Sequence, residues 1–248
     1  MTTKADLKRV RDLHQKKYRE QEGRFLVQGP KLVRELLGSG WPVEALYATE
    51  AAARELGPVD AEVLPDHEME RLGTLESGNV LVAVVPMPPP ASLAAPTGTE
   101  LVLALDGISD PGNLGTVLRI ADWFGIQRVL CTPTSVELTN PKCVQATMGA
   151  LFRVSVGVVD LAPHLADWRA QGVHLYVASM EGASVFEQEL KRPAVLVMGS
   201  ESHGVSDAVR ALRAGLISIP RGGGGESLNV ATATSALCME FARQASTP

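Results

Sequence analysis

A chain of 248 residues, 45% hydrophobic and 21% charged, holds apolar material for one large globular domain or two modest ones. Aromatic content of 4% excludes a broad platform of stacked bases, and a net charge of −5 excludes a body coated in basic side chains. That charge is uneven, because residues 1–35 carry ten basic side chains against five acidic ones. A basic arm on an acidic body suits contact with a phosphate backbone; a solvated amphipathic helix gives the same pattern.

Residues 4–19 read as one basic helix, with Leu7, Val10 and Leu13 on its apolar face. Arg24–Gln28 reads as a strand and Pro30–Leu37 as a helix with Gly38 past its end. Strands at Val43–Tyr47 and Ala61–Leu64 flank a helix at Ala51–Leu56. A further helix at Asp66–Leu72 starts near an Asp cap, and Val80–Val85 is apolar and rich in β-branched residues. Residues 1–86 are therefore expected to form a small α/β domain.

The segment PMPPPASLAAPTG follows, with four prolines among its first five residues. Such a run neither continues a helix nor pairs inside a sheet. Residues 87–99 are expected to be a semi-extended linker; a loop along the edge of a core is the alternative.

Beyond it, strands and helices alternate. Strands are expected at Glu100–Leu105, Arg128–Cys131, Val154–Val158, His174–Ala178, Ala194–Met198 and Leu216–Ile219. Helices are expected at Leu114–Phe124, Pro141–Ala150, Leu161–Gln171, Asp207–Leu212 and Asn229–Gln244. This alternation predicts a mostly parallel α/β sheet covered on both faces over residues 100–248.

Three polar clusters sit where an apolar strand gives way to a turn: Leu101–Ile126, Ala194–Ser206 and Leu216–Ala242. Ligands bind at the carboxyl ends of strands in such sheets, so the three loops point to one composite site. Gly222–Gly225 lies between a strand and a helix N-terminus, and reads as a phosphate cradle, a flexible lid or a plain turn. Gly199–Ser206 has the spacing of a P-loop, but Val205 stands where that loop needs lysine. Arg119, among Val117, Leu118, Ile120 and Ala121, is either a buried structural ion pair or an anion ligand. His203 reads as a surface residue rather than a catalyst. Cys131, Cys143 and Cys238 have apolar neighbours and no metal-site spacing, so buried thiols and no metal are expected. The N-terminus has no apolar export core and no apolar run approaches the ~20 residues of a spanning helix, so a cytoplasmic, membrane-free protein is expected.

Taken together, the clusters resemble the motifs of the SpoU/TrmH family, SPOUT-class enzymes that methylate ribose 2′-hydroxyls in RNA. The first is Pro111-Gly112-Asn113-Leu114-Gly115 followed by Arg119. The second is Gly199-Ser200-Glu201-Ser202-His203-Gly204-Val205-Ser206. The third runs from Ile219-Pro220-Arg221 to Ser227-Leu228-Asn229-Val230, and Ala146–Phe152 resembles a further family segment. Ser200, Ser202 and Arg221 depart from the family's usual Asn, Gly and Met. The N-terminal KKYREQEGRFLVQGPKLVRELL resembles the small RNA-binding domain that many members carry.

The resemblance implies a SPOUT-type parallel sheet with a C-terminal trefoil knot, a homodimer, and S-adenosylmethionine as methyl donor. It places catalysis on Asn113, Arg119, Glu201, Ser227 and Asn229. It places cofactor contacts on Gly199, Ser200, Glu201, Ile219, Pro220 and Leu228. RNA contacts are expected at Lys8, Arg9, Lys16, Lys17, Arg19, Arg24 and Lys31. The resemblance casts Arg119 as the base; because a guanidinium resists deprotonation, holding a phosphate of the target while lowering the hydroxyl's pKa electrostatically is the alternative. The implied function is 2′-O-methylation of structured RNA, with rRNA favoured. A tRNA methyltransferase and a non-catalytic RNA-binding or ribosome-assembly protein on the same fold are the alternatives.

Overall fold

In the computed structural model, which describes residues 3–75 and 78–246, the backbone clusters into two units. One comprises Met1–Pro88 with Thr139–Phe152; the other comprises Pro89–Leu138 with Arg153–Pro248.

The first unit opens with α1 (Lys4–Asp12), started by a reciprocal cap in which Thr3 Oγ accepts from Asp6 N and Asp6 Oδ2 accepts from Thr3 N. The single helix expected over residues 4–19 is not formed. The chain leaves the helix at Leu13 and restarts as α2 (Lys16–Glu22). Arg19 explains the break. Its guanidinium Nη1 donates to the carbonyls of Leu13 (2.9 Å) and His14 (2.8 Å), satisfying acceptors that the end of α1 leaves open. Four strands follow: β1 (Arg24–Gln28), β2 (Ala45–Ala48), β3 (Glu62–Val63) and β4 (Leu81–Pro86). Their order is β1-β4-β2-β3, with β4 antiparallel to both neighbours. Between them run α3 (Pro30–Ser39), α4 (Glu50–Leu56) and α5 (Asp66–Leu72). The residue before α5 is Pro65, which makes no side-chain cap, so Asp66 is the first helical residue rather than the cap.

The second unit is a six-stranded, all-parallel sheet: β5 (Leu101–Asp106), β6 (Arg128–Cys131), β7 (Ser155–Val158), β8 (His174–Ser184), β9 (Ala194–Gly199) and β10 (Gly215–Ser218). Their order is β10-β8-β9-β5-β6-β7. Every residue of β5 is buried, because successive side chains enter cores on opposite faces. On one face Val102 and Ala104 meet Leu165 and Trp168 of α8 (Leu161–Ala170) and Val209 of α9 (Asp207–Arg210). On the other, α6 (Pro111–Trp123) packs against α10 (Val230–Ala245).

The proline-rich segment is fastened to this unit rather than left as a free tether. Ala91 is buried and its N–H donates to Val156 O (3.1 Å), and Trp168 Nε1 donates to Leu93 O (3.2 Å). Arg128 donates to the carbonyls of Ser92 and Ala94 while its Nε holds Glu100 at 2.6 Å. Segment Thr139–Phe152, expected to belong with the C-terminal sheet, clusters with the first unit instead. Its helix α7 (Pro141–Thr147) lies on β1, where Gln145 Nε2 donates to Gln28 O (2.8 Å), and Phe152 meets Trp41 edge-on at 5.3 Å.

Strand β8 is longer than its apolar core suggests. Tyr176 and Val177 pair with Gly215 and Leu216 of β10, and the ladder resumes only at Ala183 with Ile217. The residues between bulge out and wall a cavity. Where the ladder resumes, a Cβ on Gly182 would lie 2.6 Å from the backbone of Ile217, so only glycine fits.

Near the end of α10, Glu240 is almost fully buried and accepts from Arg243 (2.8 and 2.6 Å) and Gln244 (2.7 Å). These bonds, Arg243's first, hold its carboxyl down at about 2 from an ordinary 4.5. A depressed carboxyl stabilises the fold above the unfolded value and loses that contribution as pH falls through the folded one. The melting temperature is therefore expected to fall between pH 4.5 and 2, and to fall less steeply in Glu240→Gln. Calorimetry across that window checks it.

Candidate active site

The bulge in β8 and the carboxyl ends of β9 and β10 enclose a cavity of about 630 Å³. Its lining is mainly apolar, with Met198, Ile217, Leu228, Val230 and Leu237, and its rim carries Glu181, Glu201, Arg210 and Arg221. That size and character suit a small organic ligand. Gly199, Ser200, Glu201, Ile219, Pro220 and Leu228 all line it, as does Ser227.

Three polar side chains from separate segments converge at the rim. Asp110 caps α6 by accepting from Asn113 N at 2.7 Å, which sets Asn113 in the first turn of the helix rather than in the turn before it. Asn229 caps α10, its Oδ1 accepting from Ala231 N and Thr232 N. That bond leaves the amide Nδ2 to donate to Asn113 Oδ1 (2.9 Å) and Glu201 Oε1 (2.8 Å). Asn113 Nδ2 donates to the same Glu201 oxygen at 2.9 Å. The result is a closed triangle of one carboxylate and two amides. Glu201 Oε2 makes no hydrogen bond among the described residues.

The loop carrying Glu201 is shaped by glycine. A Cβ on Gly199 would sit 2.2 Å from the backbone carbon of Gly204, and Ser200 and Gly204 exchange backbone hydrogen bonds at 2.9 Å. Asp106, buried at the end of β5, accepts from Ser206 N at 2.7 Å and fixes the loop's far end. Ser206 caps α9, so the stretch that imitates a P-loop is a bridged turn. Asp106 does carry a sequence signal, a carboxylate that ends a wholly apolar run. Arg210 and Glu181 carry no such signal, and only the three-dimensional lining reveals them.

Arg119 is not part of the triangle. It is exposed, no ion-pair partner lies near it among the described residues, and no hydrogen bond joins it to Asn113, Glu201 or Asn229. The buried structural ion pair is thereby overturned. Six residues along a helix also set Arg119 about 120° around the axis from Asn113. The Gly222–Gly225 run is exposed, and none of its four positions would obstruct a Cβ or needs a positive φ. Arg221 spans the run, with Nη1 donating to Gly225 O at 2.9 Å.

Of the expected RNA contacts, Lys8, Lys17 and Lys31 are exposed. Arg9 and Lys16 are exposed with loose partners in Asp6 (4.0 Å) and Glu20 (3.7 Å), and Arg24 pairs with Glu22 and Glu44. Arg19 is a correction: at 2% exposure and bonded to two carbonyls, it holds α1 to α2 and is unavailable to RNA. All three cysteines are buried, and burial pushes the Cys131 and Cys238 thiols up to about 12, so neither serves as a nucleophile.

Residues 100–239 match the family model described as the SpoU rRNA Methylase family, and residues 4–77 match an MRM3-like substrate binding domain. The chain belongs to the SpoU rRNA methylase family. It is 32% identical to an uncharacterized tRNA/rRNA methyltransferase of Synechocystis, over 98% of this chain and 93% of that one. A solved TrmH-family protein from Porphyromonas gingivalis is 41% identical, with a TM-score of 0.88 and coverage of 98% and 99%. The SpoU methyltransferase AviRb from Streptomyces viridochromogenes, solved with AdoMet, is 30% identical with a TM-score of 0.86 and 98% coverage of each chain.

The triangle predicts a charge-dependent stability. Asp caps a helix as well as Asn does, so Asn229→Asp keeps the cap but opposes Glu201 with a second carboxylate. Denaturant unfolding is expected to show a loss of about 1–2 kcal/mol, most of it restored by adding Glu201→Gln.

Proposed function

We propose that the protein transfers a methyl group from S-adenosylmethionine to a ribose 2′-hydroxyl of ribosomal RNA. The observation that carries this reading is the Asn113–Glu201–Asn229 triangle at the rim of an apolar cavity. Relatives support the substrate. A Streptomyces viridochromogenes protein 30% identical over 91% of this chain is a 23S rRNA (uridine(2479)-2′-O)-methyltransferase. RlmP of Bacillus subtilis, 29% identical over 91%, is a 23S rRNA (guanosine(2553)-2′-O)-methyltransferase.

The cavity suits the donor. Its apolar wall at Ile217, Leu228 and Leu237 can take an adenine ring, and its polar rim can take the amino acid end. When bound, the donor supplies an electrophilic methyl on sulfur. The protein's own task is alignment and proton removal. Glu201, locked through Oε1, presents Oε2 as an acceptor for the ribose hydroxyl. Asn113 and Asn229 keep that carboxylate from rotating. Arg119, exposed and without an ion-pair partner among the described residues, holds a phosphate of the target and favours the alkoxide electrostatically. Ser227 lines the cavity beside Leu228 and orients the sugar.

The working protein is read as a cytoplasmic homodimer. Trp123 of α6 is 83% exposed and Met239 of α10 is 59% exposed, on two helices that pack together, which favours an apolar contact between copies. A C-terminal trefoil knot is consistent with the close backbone passages at Gly182–Ile217 and Gly199–Gly204. Lys8, Arg9, Lys16, Lys17, Arg24 and Lys31 are read as the RNA-docking face of the N-terminal unit.

Two outcomes test this. Arg119→Ala is expected to bind the donor as the wild type does and to lose at least about a hundredfold in turnover, roughly 2.7 kcal/mol, measured with labelled donor on 23S rRNA. Gly199→Ala is expected to weaken donor binding at least tenfold by calorimetry, because its Cβ displaces the loop.

A further inference from the structure

At the amino ends of β8 and β10, away from the reaction cavity, lies a second cavity of about 320 Å³. It is lined by Arg169, His174 and Arg213 with Gly172, Ala214 and Gly215. Both arginines are exposed, and among the described residues neither has a carboxylate at ion-pair distance. On a unit that carries the chain's acidic excess, such a cluster is conspicuous.

Arg169 is held in place. It lies near the end of α8, and its Nη1 donates to the carbonyl of Leu212. A guanidinium has five N–H donors, so the others stay available. Arg213 follows α9 at φ +49°, a left-handed conformation that glycine adopts freely and arginine does not. Among the described residues its side chain makes no hydrogen bond or ion pair. Left-handed backbone just past a helix end is a common cap that usually falls to glycine, so the arginine side chain at this position needs a reason of its own.

We infer that Arg169, Arg213 and His174 form a phosphate site for the backbone of the substrate RNA. The inference rests on the RNA-methyltransferase reading above. Two guanidinium forks and an imidazole around a polar hollow match an oxyanion with several acceptors. Position favours a nucleic-acid phosphate over a free one. Arg210, three residues before Arg213, lines the reaction cavity, so one short segment feeds both hollows. The four residues of β10 span roughly 13 Å between them, a distance that a few nucleotides cover.

The test uses the full chain, deproteinised bacterial 23S rRNA and inorganic phosphate as probes. Arg213→Gly removes the charge and the strain together, so it is expected to melt higher than wild type while binding RNA several-fold more weakly. Adding Arg169→Ala is expected to lower the slope of log affinity against log salt by about 1–2. Donor binding, measured separately, is expected to be unchanged. Unaltered RNA affinity and salt slope in the double variant overturn the site. So does a lower melting point for Arg213→Gly, which would give the side chain a structural role. If phosphate raises the wild-type melting point but not the double variant's, while RNA affinity is equal in both, the hollow takes a free anion and the RNA assignment falls. A wild type that binds RNA but no methyl donor refutes the enzymatic reading and leaves this site to be judged on RNA affinity alone.

Discussion

One carboxylate oxygen organises the reaction end of the second unit. Oε1 of Glu201 accepts from an amide 88 residues before it and another 28 residues after it. Those amides begin the two helices that pack on one face of the sheet, so the bond ties a loop between strands to two helix starts. Each amide is itself set by a cap, Asp110 for α6 and Asn229's own Oδ1 for α10. The site is therefore assembled from helix-capping chemistry. Its geometry holds only while both helices keep their first turns, which links local helix stability to chemistry at the rim.

The cavity beside it depends on a different constraint, the absence of side chains where backbones pass closely. Gly182 beneath Ile217 and Gly199 against Gly204 leave no room for a methyl group. These passages let β8 leave its ladder and let the loop after β9 double back. A side chain at either position would force the backbone beside the cavity to shift. Glycine here is a requirement of contact distance, whereas the run at Gly222–Gly225 meets no such limit.

Much of this was legible in the sequence. The alternation of apolar runs and amphipathic stretches gave the parallel sheet, because period and length are local properties. The residues later found around the cavity were named from motif positions. What the sequence hid was everything set by long-range packing. Nothing in residues 4–19 shows that Arg19 turns inward to close α1, since its neighbours are as basic as it is. The helical pattern at Pro141–Ala150 does not say which sheet it covers, and the structure puts it on β1. The apolar core of β8 ends at Ala178, so its return to the ladder at Ala183 left no periodic trace. The apolar residues around Arg119 left a buried ion pair and an anion ligand both open, and only its position on α6, facing out, decides against the first.

The state of the thiols has a practical corollary. Cys131, Cys143 and Cys238 all lie inside the core, and two are driven far from the thiolate form. Maleimide chemistry at neutral pH should pass them by in the folded protein. A single cysteine introduced on an exposed position would then carry a fluorophore alone, with no need to strip the native sulfurs first.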